Sequence, residues 1–80
     1  MNDAKVYVDV LVNHMKNGKI IPLCIRWEDG EKYRIDQILD VIRAASTKVG
    51  GTGIRYTIRI GNTTSFLFLE EDKWFVERRG

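Results

Sequence analysis

The sequence predicts an α+β domain in which two three-stranded antiparallel meanders flank one helix, in the order βββ-α-βββ. Apolar and polar residues alternate along 5–35 and 54–76, and turn residues interrupt both runs. Between these regions, apolar residues recur every three or four positions. Each meander has one apolar face, so we expect a small, partly open SH3-like barrel or a sandwich. The alternative is one open antiparallel sheet with the helix on a single face.

In the first meander, the turn residues determine which strand residues face each other. Asn17-Gly18 suits a two-residue hairpin turn, and such a turn places Val10 opposite Ile25. For the next turn, a three-residue loop ending at Gly30 is favoured, because it places Ile25 opposite Tyr33. Pro22 lacks the backbone N–H that a central strand needs, so we expect a bulge there or the first paired residues of that strand.

The helix is predicted from the spacing of its apolar residues. Asp36 is suited to be the N-cap, and Gly50-Gly51 is suited to end the helix. The apolar stripe between these positions consists of Ile38, Leu39, Ile42, Ala45 and Val49.

The second meander follows the same logic. Gly61-Asn62 is a two-residue turn signal, which places Tyr56 opposite Leu67. A turn at Glu71-Asp72 then places Phe68 opposite Phe75. Three strands again result, and all 80 residues are expected to form one domain, 1–80.

Composition restricts the possible settings and partners. Thirteen Lys and Arg against eleven Asp and Glu give a net charge of +2, too weak to indicate nucleic acid alone. The single cysteine, Cys24, cannot form an internal disulfide, and no apolar leader follows the first residues. We therefore expect a cytoplasmic protein with no membrane association.

Few residues indicate catalysis, so we expect a binding module and not an enzyme. His14 lies beside a turn, and we interpret it as a surface residue. Cys24 has no second cysteine with which to hold a metal, and we interpret it as a free thiol. The run Gly50-Gly51-Thr52-Gly53 follows a helix and precedes a strand, the reverse of the order in phosphate-binding loops. No metal and no cofactor are predicted.

One face of the second meander suggests a binding site. The predicted registers gather arginines beside phenylalanines, an arrangement on which single-stranded bases can stack while guanidinium groups contact phosphates. The competing interpretation is that the helix covers the rings, which then form a second layer of the core. The residues of this face are Arg55, Arg59, Phe66, Phe68 and Phe75.

A second, basic surface is predicted on the first meander. Arg26, Lys32 and Arg34 fall on its outward face, while Trp27 and Tyr33 point inward. Such a face is either solvated surface or a site that attracts a polyanion. A protein partner, or a second copy of the chain as a homodimer, is the alternative to nucleic acid. It would bind a sheet face or edge that the helix leaves uncovered.

Two segments carry a resemblance to a known group of domains. The segment 25–40 contains Trp27, Tyr33 and the Ile38-Leu39 pair, and the chain later reaches Lys73-Trp74-Phe75-Val76. This pattern resembles a family of small uncharacterised bacterial domains, some of which occur near error-prone DNA polymerases. The resemblance implies a bacterial protein in a nucleic-acid context and carries over no catalytic residue. The chain departs from the family at Ile42-Arg43, where those domains tend to have another tryptophan.

Overall fold

The protein forms one curled antiparallel sheet of seven strands, a half-barrel, in the computed structural model, which describes residues 3–43 and 53–79. The sheet order is β3-β2-β1-β7-β6-β5-β4. Within the described ranges, no helix is long and apolar enough to cross a membrane. The strands are β1 (Asp3–His14), β2 (Ile20–Arg26), β3 (Lys32–Arg34), β4 (Gln37–Arg43), β5 (Ile54–Ile60), β6 (Thr63–Glu70) and β7 (Lys73–Arg79).

The predicted α+β class is wrong, because the first part of the predicted helix is strand β4, paired with β5. Ile38 lies opposite Ile58, while Leu39 is the extra residue of a bulge. Asp36 is not an N-cap; its Oδ2 accepts a hydrogen bond from the backbone N–H of Gly61. The β-branched residues of this segment favour a strand once a neighbouring strand is available. Ala45, Val49 and the Gly50-Gly51 cap lie outside the described residues.

The first hairpin differs from the prediction in two ways that cancel. The turn has three loop residues, since the N–H of Met15 donates to the carbonyl of Lys19 at 2.8 Å. This loop offsets the register by one residue, and Val12 pairs with Pro22. A bulge next to Pro22, as expected from the missing N–H, restores the predicted register. Val10 therefore lies opposite Ile25, as predicted.

The remaining predicted turns are confirmed. The loop ending at Gly30, whose φ is 89°, places Ile25 opposite Tyr33. Gly61, with φ of 59°, occupies the first position of a two-residue turn. Tyr56 accordingly lies opposite Leu67, and Phe68 lies opposite Phe75. The turn at Glu71-Asp72 has the two positive φ angles of a type I′ turn, 50° and 68°, although neither residue is glycine.

The two meanders are joined edge to edge through β1 and β7, where Val6 pairs with Val76. This order places β3 and β4 at opposite ends of the sheet, although only residues 35–36 connect them. Seven flat strands would separate those ends by about 28 Å, whereas the connection can span only about 10 Å. The sheet must therefore curl. The N–H of Ile35 bonds to Leu23 of β2 at 3.0 Å, and that of Asp36 bonds to Arg59 of β5 at 2.9 Å.

The core fills the inside of the curl. Its members come from both meanders, as expected if the two apolar faces are buried together. Tyr56 also spans the interior, because its hydroxyl donates to the carbonyl of Ile20 on β2 at 2.7 Å. The buried residues of this cluster are Val8, Ile25, Tyr56, Ile58 and Leu67.

Candidate functional site

A cleft of about 640 Å³ opens where β6 and β7 separate. Their registered pairs run from Glu70–Lys73 to Phe68–Phe75 and stop there. Beyond this point β6 remains paired with β5, and β7 remains paired with β1. The opening between them reaches from the core to the outer face of the sheet. Its lining includes Trp27 and Tyr33 from the first meander, and Arg55, Phe66, Phe68 and Glu77 from β5, β6 and β7.

Arg55 and Phe66 form a stacked pair in this cleft. The Cζ atom of Arg55 lies 4.7 Å from the centre of the Phe66 ring, within the range of a cation–π contact. The Phe66 side chain is 47% exposed. The Nε atom of Arg55 is buried and has no hydrogen-bond partner within the part of the chain that the structure describes. The guanidinium is thus held against a ring and retains a free donor.

The other two phenylalanines of the predicted face are packed against each other. The Phe68 and Phe75 rings are stacked, with centres 5.0 Å apart and planes 5° apart. Tyr7 meets Phe75 edge-on at 5.7 Å, and the Nζ of Lys5 lies 4.7 Å from the Phe75 ring centre. Phe75 is only 2% exposed as a result. The predicted surface therefore comprises one half-exposed ring, one partly buried ring and one buried ring.

The described part of the predicted helix does not cover these rings, because Gln37–Arg43 forms β4, which continues the sheet beyond β5 and does not cross its outer face. A row of side chains runs instead across five neighbouring strands on this face. Register places these residues side by side, so the Phe68 and Phe75 rings are shielded by their neighbours in the sheet. The row consists of Ile42, Arg55, Phe68, Phe75 and Tyr7.

Arg59 lies apart from the cleft. It is exposed and pairs with Thr64 on one side and Gln37 on the other, on the same outer face as Arg55. Its carbonyl helps to close the sheet by accepting the N–H of Asp36. Its guanidinium is therefore available only to a ligand that extends beyond the cleft.

The second basic surface has the arrangement that the pattern predicts. Arg26 lies opposite Lys32, and Arg34 lies opposite Cys24; all three basic side chains are exposed. Asp9 lies opposite Arg26 on the neighbouring strand and adds a negative charge to this face. The surface is thus less cationic than its three basic residues alone would make it.

Trp27 and Tyr33 are predicted to point inward, and the sequence pattern does not indicate that they also line the cleft. Trp27 does pack against the core, but both residues also line the opening, and Tyr33 is 41% exposed. The sequence pattern does not show that the pairing of β6 with β7 ends at Phe68–Phe75. Continued pairing would have placed Leu67 opposite Val76 and closed the opening between the two strands. The charged sequence Glu77-Arg78-Arg79 that ends β7 was the available hint.

The described residues contain no group of three His, Cys, Asp or Glu side chains arranged to hold a metal ion. The geometry instead provides an apolar cleft with aromatic rings on two sides and a few polar groups, as is typical of ligand sites.

No protein-family model, curated protein or solved structure matches the chain.

Proposed function

We propose that this protein is a small non-enzymatic binding module that holds single-stranded nucleic acid in the cleft between β6 and β7. The observation that carries the proposal is the stacked pair of Arg55 and half-exposed Phe66. Such a pair offers an aromatic face to a base and a positive charge to the adjoining phosphate.

The shape of the cleft supports a single strand over a duplex. Phe66 and Tyr33 line the same opening, so a base that enters it meets aromatic surface from both meanders. Bases in a duplex are already stacked and paired, and they cannot enter a cleft without being extruded. Arg59 lies on the same outer face as Arg55 and is exposed, so it can contact a phosphate further along the strand.

Fluorescence anisotropy with a labelled ten-nucleotide oligo(dT) and its RNA counterpart tests this proposal. We expect binding at low salt that weakens as salt is added, because phosphate contacts release counterions. Phe66→Ala should weaken binding roughly fivefold or more, as expected for loss of one stacked base. Phe66→Leu preserves apolar volume but removes the ring, and should weaken binding similarly.

Two further variants distinguish binding in the cleft from non-specific attraction of the strand to positive charge. Arg55→Ala should weaken binding, whereas Lys16→Ala, which removes the same charge from an exposed turn, should have little effect. No binding at low salt would overturn the proposal. Equal loss in the Arg55 and Lys16 variants, or full affinity in Phe66→Ala, would do the same.

A second candidate function is homodimerisation through the edge strand β4. Three of its apolar side chains are exposed, with Leu39 at 46%, Val41 at 48% and Ile42 at 38%. An exposed apolar edge strand is a common site for pairing with another chain. Light scattering over a wide concentration range tests this candidate. A strict monomer would exclude it, and a dimer dissociated by Val41→Lys would support it.

A further inference from the structure

Arg55 and Glu77 place opposite charges in the same cleft without pairing with each other. Both residues line the opening, Arg55 from β5 and Glu77 from β7. In the described part of the chain, neither side chain takes part in an ion pair or a side-chain hydrogen bond. The cleft therefore presents an unpaired donor group and an unpaired acceptor group to whatever enters it.

We infer that the cleft selects guanine among the bases of a single strand. This inference rests on the proposed function and names the base that the same site prefers. A carboxylate only accepts hydrogen bonds, and guanine offers it two adjacent donors, N1–H and N2–H. The neighbouring O6 of guanine is an acceptor, which suits a guanidinium. Glu77 thus matches the two donors of the guanine edge, and Arg55 matches its acceptor.

The other bases match this pair less well. Adenine has an acceptor at N1, where a carboxylate needs a donor, and thymine has acceptors on both sides of its one N–H. Cytosine offers its amino group to the carboxylate but no second donor beside it. Glu77 is exposed, and a bound base that covers its carboxylate without donating a hydrogen bond to it binds more weakly, so these differences produce selectivity.

The surroundings of the two charges favour such recognition. Most of the cleft lining is apolar, and Phe66 supplies a face on which the purine can stack. Hydrogen bonds to charged groups are strengthened where water is partly excluded. Lys5, which lies opposite Glu77, forms its ion pair with Glu70 instead, at 3.4 Å. The Glu77 carboxylate therefore remains available to a base.

Anisotropy with ten-nucleotide oligo(dT) carrying one central substitution tests this inference. The central position is dG, inosine, dA or dC, and the unsubstituted oligo(dT) is the reference. We expect the dG strand to bind roughly tenfold more tightly than the dA strand, the discrimination of one good bidentate contact. Inosine lacks the N2 amino group and should fall between them.

Variants assign the preference to the carboxylate. Glu77→Gln should reduce the preference for dG over dA severalfold, measured as the ratio of the two affinities within the same variant. Glu31→Gln removes the same charge outside the cleft and should retain the preference. If oligo(dT) binds through Phe66 but all central bases bind equally, or if Glu77→Gln keeps the preference, the inference is wrong and the proposed function stands. If none of the strands binds, both are wrong.

Discussion

The carboxylate of Asp36 accepts a hydrogen bond from the backbone N–H of Gly61 at 2.6 Å. This contact ties the connection between β3 and β4 to the turn between β5 and β6. Asp36 also donates its own N–H to Arg59 of β5, so its backbone and its side chain both tie the connection to the β5 end of the sheet, while the N–H of Ile35 ties it to β2. Asp36 thus helps to hold the closure that the short connection between β3 and β4 imposes.

Asp36→Ala is expected to lower the free energy of unfolding by about 1 kcal/mol, the usual contribution of a hydrogen bond of this kind. Asp36→Asn retains an acceptor oxygen and should lose less. Urea unfolding of the three proteins measures the difference. Hydrogen exchange at the Gly61 amide should accelerate in the alanine variant. Unchanged stability together with unchanged exchange would show that the contact does not hold the closure.

The turn at Glu71-Asp72 is strained, since both residues have positive φ without being glycine. Replacing the pair by Asn-Gly, which favours type I′ turns, should raise the free energy of unfolding by about 1 to 2 kcal/mol. Thermal unfolding measures this change. The matched control is Gly30→Ala, which puts a side chain at φ of 89° where nothing crowds it. Gly30→Ala should lower the free energy of unfolding by about 1 kcal/mol through backbone strain alone. If this variant is stabilised, or if the Asn-Gly turn is no more stable than Glu71-Asp72, the turn is not strained by its positive φ angles.

Tyr56 should make stability depend on pH in the alkaline range. Burial raises the pKa of its hydroxyl above the ordinary value of 10.0, and the nearby positive charge of Arg43 opposes this shift. The folded protein therefore holds this proton more tightly than the unfolded chain does. Its contribution to stability is fully present below pH 10.0 and is lost as the pH rises from there through the folded pKa.

The matched variant is Tyr56→Phe, which cannot ionise and leaves the Ile20 carbonyl without its partner. It should be less stable by about 1 kcal/mol below pH 10.0. Above that pH, the gap between the two proteins should narrow. Urea unfolding across the range provides the comparison, and a gap that stays constant would rule out this role for the hydroxyl.

Alanine substitutions distinguish strand β4 from the predicted helix. A helix would bury Leu39 and Ile42 in one stripe, whereas the sheet leaves both exposed and buries Ile58 completely. Ile58→Ala should therefore cost about 2 to 5 kcal/mol, and Ile42→Ala should cost under about 1 kcal/mol. Denaturant midpoints measure these costs. Equal, large losses at both positions would favour the helix.

Local turn chemistry explains why most strand pairings are predictable from this sequence. A tight turn and an apolar face together allow one register, as at Tyr56–Leu67 and Ile25–Tyr33. Even the misjudged turn after Met15 left Val10 opposite Ile25, because the bulge beside Pro22 compensated for it. The paired residues lie close together in the sequence, so the residues of the intervening turn decide their register.

Long-range pairing decides the features that the sequence did not reveal. Ile38 and Ile42 fit a helical stripe, but β5 offers this segment a partner strand, and tertiary pairing overrides the local spacing. Likewise, β7 remains paired with β1 beyond Phe75, whereas its pairing with β6 ends there, and this opens the cleft. The gathering of Arg55 with Phe66 followed from one turn, whereas the approach of Tyr33 required the whole sheet to curl.

Amide NMR during titration with oligo(dT) is the most direct test of whether a single strand binds in the cleft between β6 and β7. We predict that the largest shift changes occur at residues lining the cleft, including Tyr33, Arg55 and Phe66, and that Arg26 and Arg34 change little. Changes concentrated on the Arg26, Lys32 and Arg34 surface, with the cleft unaffected, would contradict binding of the strand in the cleft.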